Sequence, residues 1–350
     1  MKRLSINSSQ SGPRTSKLSF VPNALVFNNS GSFVVDSKGV QHRGSCIGCQ
    51  GKNCLEYRPE ELSTPNFQAF PHNTSRRVCP TKAISYDPDI GSAFINPDQC
   101  IACGLCIQRC PTAAIQLNIV ARTCIVRRDS TIMESCDGTE QRSFLDEIAS
   151  CSRTYSFSKI PEGFSDYYQE SISIASKLIP DTSEIIVRNA LVNMGIPCNT
   201  NAAGNNHNRT EFFGQQDDMI IIGESNSSET DTLSVTRRIL DDEAVMISRY
   251  GQDINGILPL SVINGFPNKR TDYYEVVHDI KAILGIQICT VTFHVLFILN
   301  LFGIKLNIRD FSAFLIDNTH QDLLPVVKRL IPRIDSIDEG CRGVSYRPIK

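Results

Sequence analysis

The sequence predicts a small α+β domain organised around cysteine, followed by a larger α/β domain in which helices alternate with short apolar strands. Three observations predict this. Eight of the 14 cysteines fall into two runs that each end in Cys-Pro: Cys46, Cys49, Cys54 and Cys79-Pro80, then Cys100, Cys103, Cys106 and Cys110-Pro111. The segments that follow, Cys79-Pro-Thr-Lys-Ala-Ile84 and Cys110-Pro-Thr-Ala-Ala-Ile115, are near copies, which marks an internal repeat. From Asp181 onward, capping patterns and glycine stops alternate with β-branched runs, the grammar of an α/β layer arrangement with a sheet covered on both faces.

The second run reads C-x2-C-x2-C-x3-C-P. Thiolates at this spacing wrap three corners of an iron-sulfur cubane from one tight loop, and the fourth corner is reached by a cysteine of the opposite run. The eight cysteines therefore read as the ligand set for two [4Fe-4S] clusters. The pattern resembles bacterial-type two-cluster ferredoxins. That resemblance implies crossed ligation, with Cys100, Cys103, Cys106 and Cys79 at one cluster and Cys46, Cys49, Cys54 and Cys110 at the other. It also implies a ferredoxin-like α+β core with pseudo-twofold symmetry. The first run departs from the family pattern: Gln50 to Asn53 separate its second and third cysteines, and 24 residues lie between Cys54 and Cys79. A zinc ribbon has no use for Cys-Pro. Disulfides fit poorly with an N-terminus, Met-Lys-Arg-Leu-Ser, that lacks the apolar core of a secretory signal, so a cytoplasmic location is expected. Cys124, Cys136, Cys151, Cys198, Cys289 and Cys341 stand apart and are expected to be buried free thiols.

Cluster ligation needs only a fraction of the 350 residues, so the sequence divides into an extension (1–40), the iron-sulfur domain (41–120), a helical connector (121–180), the α/β domain (181–310) and a C-terminal segment (311–350). The extension is rich in Ser and Asn and carries one hairpin pattern, Ala24 to Phe27 against Ser32 to Val35. The connector holds Arg122, Arg127 and Arg128, then polar helical sequence from about Gln141 to Ile179. Composition is ordinary, 41% hydrophobic and 21% charged with a net charge of −2, and no overall basic excess points to nucleic acid.

In the α/β domain Asp181-Thr-Ser-Glu184 reads as a capping box, and Ile186, Ala190, Leu191 and Met194 form one helical stripe that stops at Gly195. A polar loop with Asn199, Asn201, Gly204, Asn205 and Asn206 follows. Arg209 to Glu211 then leads through Phe212 and a Gly-Gln-Gln-Asp turn into a buried strand over Met219 to Ile222. The next helix carries Ile239, Leu240, Ala244 and Ile247 and ends by Gly251. The strand Ile257 to Ile263 has Pro259 near its start, which predicts an edge or first position. Asp272 and Glu275 cap a helix whose Val276, Val277, Ile280, Ile283 and Leu284 share a stripe up to Gly285. Ile286 to Thr292 reads as a strand and Phe293 to Phe302 as a short apolar helix. The apolar run from Ala282 to Leu306 is interrupted by Gln287, His294, Asn300 and Lys305 and falls short of the ~20 residues that a bilayer requires, so no membrane span is expected.

This order of elements over about 181 to 305 resembles the PD-(D/E)xK restriction-endonuclease-like fold. The resemblance implies a Mg2+ or Mn2+ site on Glu211 and Glu224, since hard cations want carboxylate oxygen, with Asn226 standing where the family's catalytic lysine belongs. Asparagine brings hydrogen bonds but no positive charge. Glu184 occupies the family's helix-borne acid position and is also explained by capping. Asp217 and Asp218 are rival ligands with good turn chemistry. Asn264 to Arg270, with Lys269 and Arg270, is a candidate phosphate contact. His207, His278 and His294 accompany no nucleophile, and no phosphate loop or flavin fingerprint appears. Three functions follow: a DNA-directed nuclease-like protein of restriction or antiphage defence; an electron-transfer subunit serving a redox partner enzyme; and a scaffold subunit of a larger assembly.

Overall fold

A computed structural model of the chain describes residues 30–35, 41–42, 46, 49, 52–111, 113–118, 121–126, 128, 153–155, 164–204, 209–228, 232–267, 271–317 and 322–332. Two compact units divide the chain. The first comprises Met1–Tyr57, Arg76–Ser158 and Leu301–Gly303, and the second Arg58–Ser75, Lys159–Asn300 and Ile304–Lys350.

The first unit contains β1 (Ser30–Val35), β2 (Gln41–His42), β3 (Ile84–Asp87), β4 (Ser92–Ile95), the short helix α1 (Leu105–Arg109), β5 (Ile115–Asn118), β6 (Thr123–Val126) and β7 (Arg153–Tyr155). Strand β1 is the hub of one sheet, antiparallel to β2, β5 and β7, and β5 continues to β6. The expected strand over Ser32 to Val35 thus exists with these partners, while Ala24 to Phe27 lies outside the described residues. Strands β3 and β4 form a separate hairpin. The sequence repeat has a backbone counterpart. After each Cys-Pro pair the chain turns so that Cys79 O accepts from Lys82 N and Cys110 O from Ala113 N, both at 3.3 Å. Lys82 (φ 57°) and Ala113 (φ 54°) are left-handed, and β3 and β5 follow. A left-handed non-glycine residue cannot continue a right-handed helix, so each segment is a tight turn.

The second unit contains α2 (Phe164–Leu178), α3 (Thr182–Met194), β8 (Cys198–Thr200), β9 (Phe212–Gln216), β10 (Met219–Asn226), α4 (Leu233–Tyr250), β11 (Ile257–Ile263), α5 (Tyr273–Asp279), β12 (Cys289–Thr292), α6 (Phe293–Leu301) and α7 (Leu324–Leu330). One mixed sheet runs β12-β11-β10-β9-β8; β8, β9 and β10 form an antiparallel meander, and β10, β11 and β12 are parallel. The stripe of α3 is buried as its periodicity predicts, and Gly195 (φ 102°) closes the helix in the left-handed conformation that glycine tolerates.

Several local expectations are corrected. Asp181 makes no capping bond to α3; its carboxylate accepts from Asn73 Nδ2 at 2.8 Å, and the left-handed backbone at Asp181 (φ 59°) aims it away from the helix end. The β9–β10 turn is only Asp217 and Asp218, because Gly214 to Gln216 extend β9 in register with Met219 to Ile221. Strand β11 is central rather than an edge. It tolerates Pro259 because β12 pairs only from Leu260 onward, leaving the β12 side open at that level. Beyond α5 the chain makes a π-turn over Ile280–Leu284, and the wider turn rotates Ile283 and Leu284 out of the apolar stripe into solvent.

The long spacing between Cys54 and Cys79 also has a structural account. Arg58–Ser75 belongs to the second unit, where Phe67 and Phe70 cluster with Phe213, Ile220, Ile222 and Met246. Phe67 and Phe213 ring centres are 4.7 Å apart. Asn73 N donates to Thr200 O at 2.8 Å, and the buried Arg188 donates to Ser75 O at 2.6 Å. Among the described residues no helix is long and apolar enough to cross a membrane.

Candidate metal centre

All eight cysteines of the two runs are free thiols in the first unit, and seven are buried. Around the second run, the short loop from Cys100 to Gly104 passes through left-handed Ala102 (φ 55°) and ends in left-handed Gly104 (φ 74°) before α1 begins. These two reversals curl the loop so that Cys100, Cys103 and Cys106 face one pocket, which Cys79 also lines; Ile84, Ile95, Ile101 and Leu105 make its apolar wall. The thiols feel one another. Burial first, then the neighbouring Cys79, Cys106 and Cys100, pushes the Cys103 thiol well above its ordinary range. Cys79 is pushed up to about 11 by burial and by Cys100 and Cys106, against the Thr81 hydroxyl and the Ala83 amide, which favour its thiolate.

The other set converges in the same way. Burial drives the Cys54 thiol upward, and Cys110, Cys106, Cys46 and Cys49 add to that in decreasing order. Every sulfur that the sequence groups with Cys54 is thus among its electrostatic neighbours. Crowded thiolates in a dry pocket repel one another until a cation joins them, and the irons of a cluster supply that charge. No three His, Cys, Asp or Glu side chains among the described residues converge on a point suited to one ion.

Backbone amides complete the environment. Ala83 N donates to Cys79 Sγ and Ala114 N to Cys110 Sγ, each at 3.1 Å and each four residues after its cysteine. Ala93 N donates to Cys46 Sγ at 3.2 Å, and Cys100 Sγ accepts from Ala102 N (3.4 Å) and Cys124 N (3.3 Å). Such bonds stabilise thiolate charge and are one lever on a cluster's reduction potential. Sequence reasoning set Cys124 aside as an isolated thiol. Its position is corrected here, since Cys124 lines the same pocket and its thiol interacts with those of Cys100 and Cys106. The β5–β6 hairpin brings it there, a pairing that cysteine spacing cannot reveal. Cys198 and Cys289 are buried free thiols as expected, and Cys136, Cys151 and Cys341 lie outside the described residues.

A family model described as a 4Fe-4S binding domain matches residues 93–116. That stretch holds Cys100, Cys103, Cys106 and Cys110. The chain carries a 4Fe-4S binding domain. Two curated proteins match part of the chain. An uncharacterized ferredoxin of Methanocaldococcus jannaschii is 41% identical over 51 residues, 15% of this chain and 30% of that protein. The polyferredoxin-like subunit of an aliphatic sulfonate oxidoreductase of Pyrococcus furiosus is 46% identical over 34 residues, 10% of this chain and 20% of that one. The chain therefore matches less than a third of the length of either relative. No solved structure matches the chain. Outside the 4Fe-4S binding domain, nothing in these comparisons indicates a restriction-endonuclease-like domain.

In the second unit the structure does bring Glu211 and Glu224 together. Glu211 precedes β9 and Glu224 lies near the end of β10, and Glu211 N donates to Glu224 Oε1 at 3.3 Å. Burial raises both carboxyls, helped by Glu184 at Glu211 and by Glu211 and Asp242 at Glu224, while Arg238 opposes the rise at both. Glu184, released from capping, is thus a member of the group, and Asp242 from α4 is a member that sequence reasoning missed. The donor set does not fit a divalent ion as it stands. Glu211 Oε2 accepts from Ser225 N and Oγ, both at 2.7 Å, and Arg238 Nε lies 2.6 Å from Glu224 Oε2. The guanidinium already supplies the positive charge. Asn226 Oδ1 accepts from Ser228 N at 2.7 Å and caps a turn. Asp218 pairs with Arg309 at the surface and Asp217 sits in the hairpin turn. Asn264 is buried and bonds Gln169 O and Ser227 O; Lys269, Arg270 and His207 lie outside the described residues. His294 is buried beside Tyr168, and burial lowers it to about 3.

Proposed function

We propose that the chain is an electron-transfer subunit that binds two [4Fe-4S] clusters and relays electrons to a partner oxidoreductase. The carrying observation is the convergence of Cys79 with Cys100, Cys103 and Cys106 on one pocket, together with the electrostatic influence of Cys110, Cys46 and Cys49 on Cys54. This crossing supports the ligation implied by the repeat. Cys106 is an electrostatic neighbour of both Cys54 and Cys103, which supports a short path from one cluster to the other. When bound, the clusters supply one-electron redox chemistry. The chain's own residues hold the sulfurs, exclude water with Ile84, Ile95, Ile101 and Leu105, and aim amides at Cys46, Cys79, Cys100 and Cys110. The oxidoreductase partnership draws support from the Pyrococcus relative, itself named as a subunit. Anaerobic reconstitution should yield about eight irons per chain, and Cys110→Ala should remove about half of them. Potentiometric titration should show two reversible one-electron centres; clusters that are inert to reductant and oxidant would sink the electron-transfer reading.

Two observations favour a second reading. The order α3, β8-β9-β10, α4, β11 and the meeting of Glu184, Glu211 and Glu224 support a nuclease-like, DNA-directed role for the second unit, in restriction or antiphage defence. Arg238 on Glu224 and Asn226 at the lysine position make the expected outcome DNA binding without Mg2+- or Mn2+-dependent cleavage. An anaerobic gel-shift experiment at low salt tests it, and absence of any shift removes this reading.

A further inference from the structure

Strands β10, β11 and β12 run parallel, so their starts lie at one end of the sheet. A cavity of about 590 Å3 opens there, in the range of small-molecule sites. Its wall is mixed: Met219 and Ile257 at two strand starts and Leu284 and Ile286 from neighbouring turns give it an apolar side, and Asn255 and Gln287 add amides. Into this wall α4 contributes Glu243. The residue is 2% exposed, yet its Oε2 is buried without a hydrogen-bond partner, and no ion pair engages its carboxylate among the described residues. The neighbouring Asp242 also leaves one oxygen, Oδ2, without a hydrogen bond, but its carboxyl interacts with Thr210, Glu224 and Arg238, whereas burial alone acts on Glu243. Arg309, also on the cavity wall, is held by Asp218 at 3.0 and 3.1 Å.

An uncompensated buried carboxylate costs several kcal/mol in charged form, and burial alone pushes Glu243 up to about 7. Nothing in the fold of this unit uses the charge. A glutamine or leucine would fill the same space without the penalty. Hard inorganic cations call for several anionic oxygen ligands, whereas Glu243 is the single carboxylate on this wall, which suits a monovalent organic cation. We propose that the cavity binds a small organic cation, an ammonium, amidinium or guanidinium group on an apolar body, with the positive charge seated on Glu243.

Benzamidine and its uncharged near-isostere benzamide test this by isothermal titration on the full-length, cluster-loaded chain under anaerobic conditions. Wild type should bind benzamidine roughly tenfold or more tightly than benzamide, the usual weight of a charge-assisted contact. Glu243→Gln should abolish that preference while melting at or above the wild-type temperature. Leu284→Lys, at an exposed wall position, should weaken benzamidine binding without altering the fold, which covers the case of a poorly folding Glu243 variant. Equal affinity for the two probes, no benzamidine binding by wild type, or a preference retained in Glu243→Gln would each overturn the proposal.

Discussion

Cys124 and Glu243 show how much of a site can rest on single side chains that carry no motif. The Cys124 thiol lies against Cys100 and Cys106, and its amide donates to Cys100. A hydrogen-bond donor beside ligand sulfur stabilises the reduced, more negative cluster. Cys124→Ala should therefore lower the midpoint potential of the nearer cluster and shift its iron–sulfur stretching bands, while Cys124→Ser should restore much of the difference. Potentiometry on both variants checks this, and unchanged potentials would reduce Cys124 to packing. Glu243 makes a pH prediction. Its folded carboxyl is raised from 4.5 to about 7, so the native state holds a proton that the unfolded chain has released. The stabilisation tied to that proton is complete below about 4.5 and is lost as pH rises through about 7. The advantage of Glu243→Gln over wild type should grow across this window by up to about 3 kcal/mol and then level off, as measured by urea unfolding at successive pH values.

At the level of elements, the insertion between Cys54 and Cys79 and strand β10 make the sharpest tests. Phe67 is buried among Phe70, Phe213 and Ile220. Phe67→Ala should destabilise the second unit by about 3–5 kcal/mol, seen in circular dichroism, with the iron content unchanged. Gly223 lies in β10 where an added methyl would collide with the Phe212 ring and with Leu260 O on β11. Gly223→Ala should cost about 1–3 kcal/mol or more, because one of the colliding atoms is backbone and cannot rotate away. The elements themselves were mostly legible. The α3 stripe, its Gly195 stop, the buried β10 and the apolar β12–α6 run all follow from local periodicity. Pro259 misled because an edge preference is a statement about a missing donor, and β12 begins one residue too late to require it. The π-turn after α5 misled because a period of 3.6 residues cannot anticipate a wider turn.

For the whole molecule, the two units should respond differently to loss of iron. Small cysteine-held domains derive much of their folding free energy from ligation, while the second unit has a sheet and apolar clusters of its own. Anaerobic chelation should bleach the cluster absorbance and unfold the first unit, leaving a cooperative thermal transition from the second. A single transition that vanishes with the iron would show that the units do not fold separately.

The residue pattern alone dictates the cluster chemistry, because C-x2-C-x2-C-x3-C-P is a covalent spacing rule in which a short loop must present sulfurs around a cubane. It also determined that α/β alternation follows, because amphipathic periodicity and glycine stops act within a few residues. Tertiary packing settles which distant residues meet. It placed Arg58–Ser75 in the second unit, folded Cys124 into the cluster pocket through the β5–β6 hairpin, gave Glu224 to Arg238, and left Glu243 facing a cavity without a partner. Those outcomes depend on register and burial summed over the whole fold, and the energy of a buried charge or thiol is set by neighbours far away along the chain.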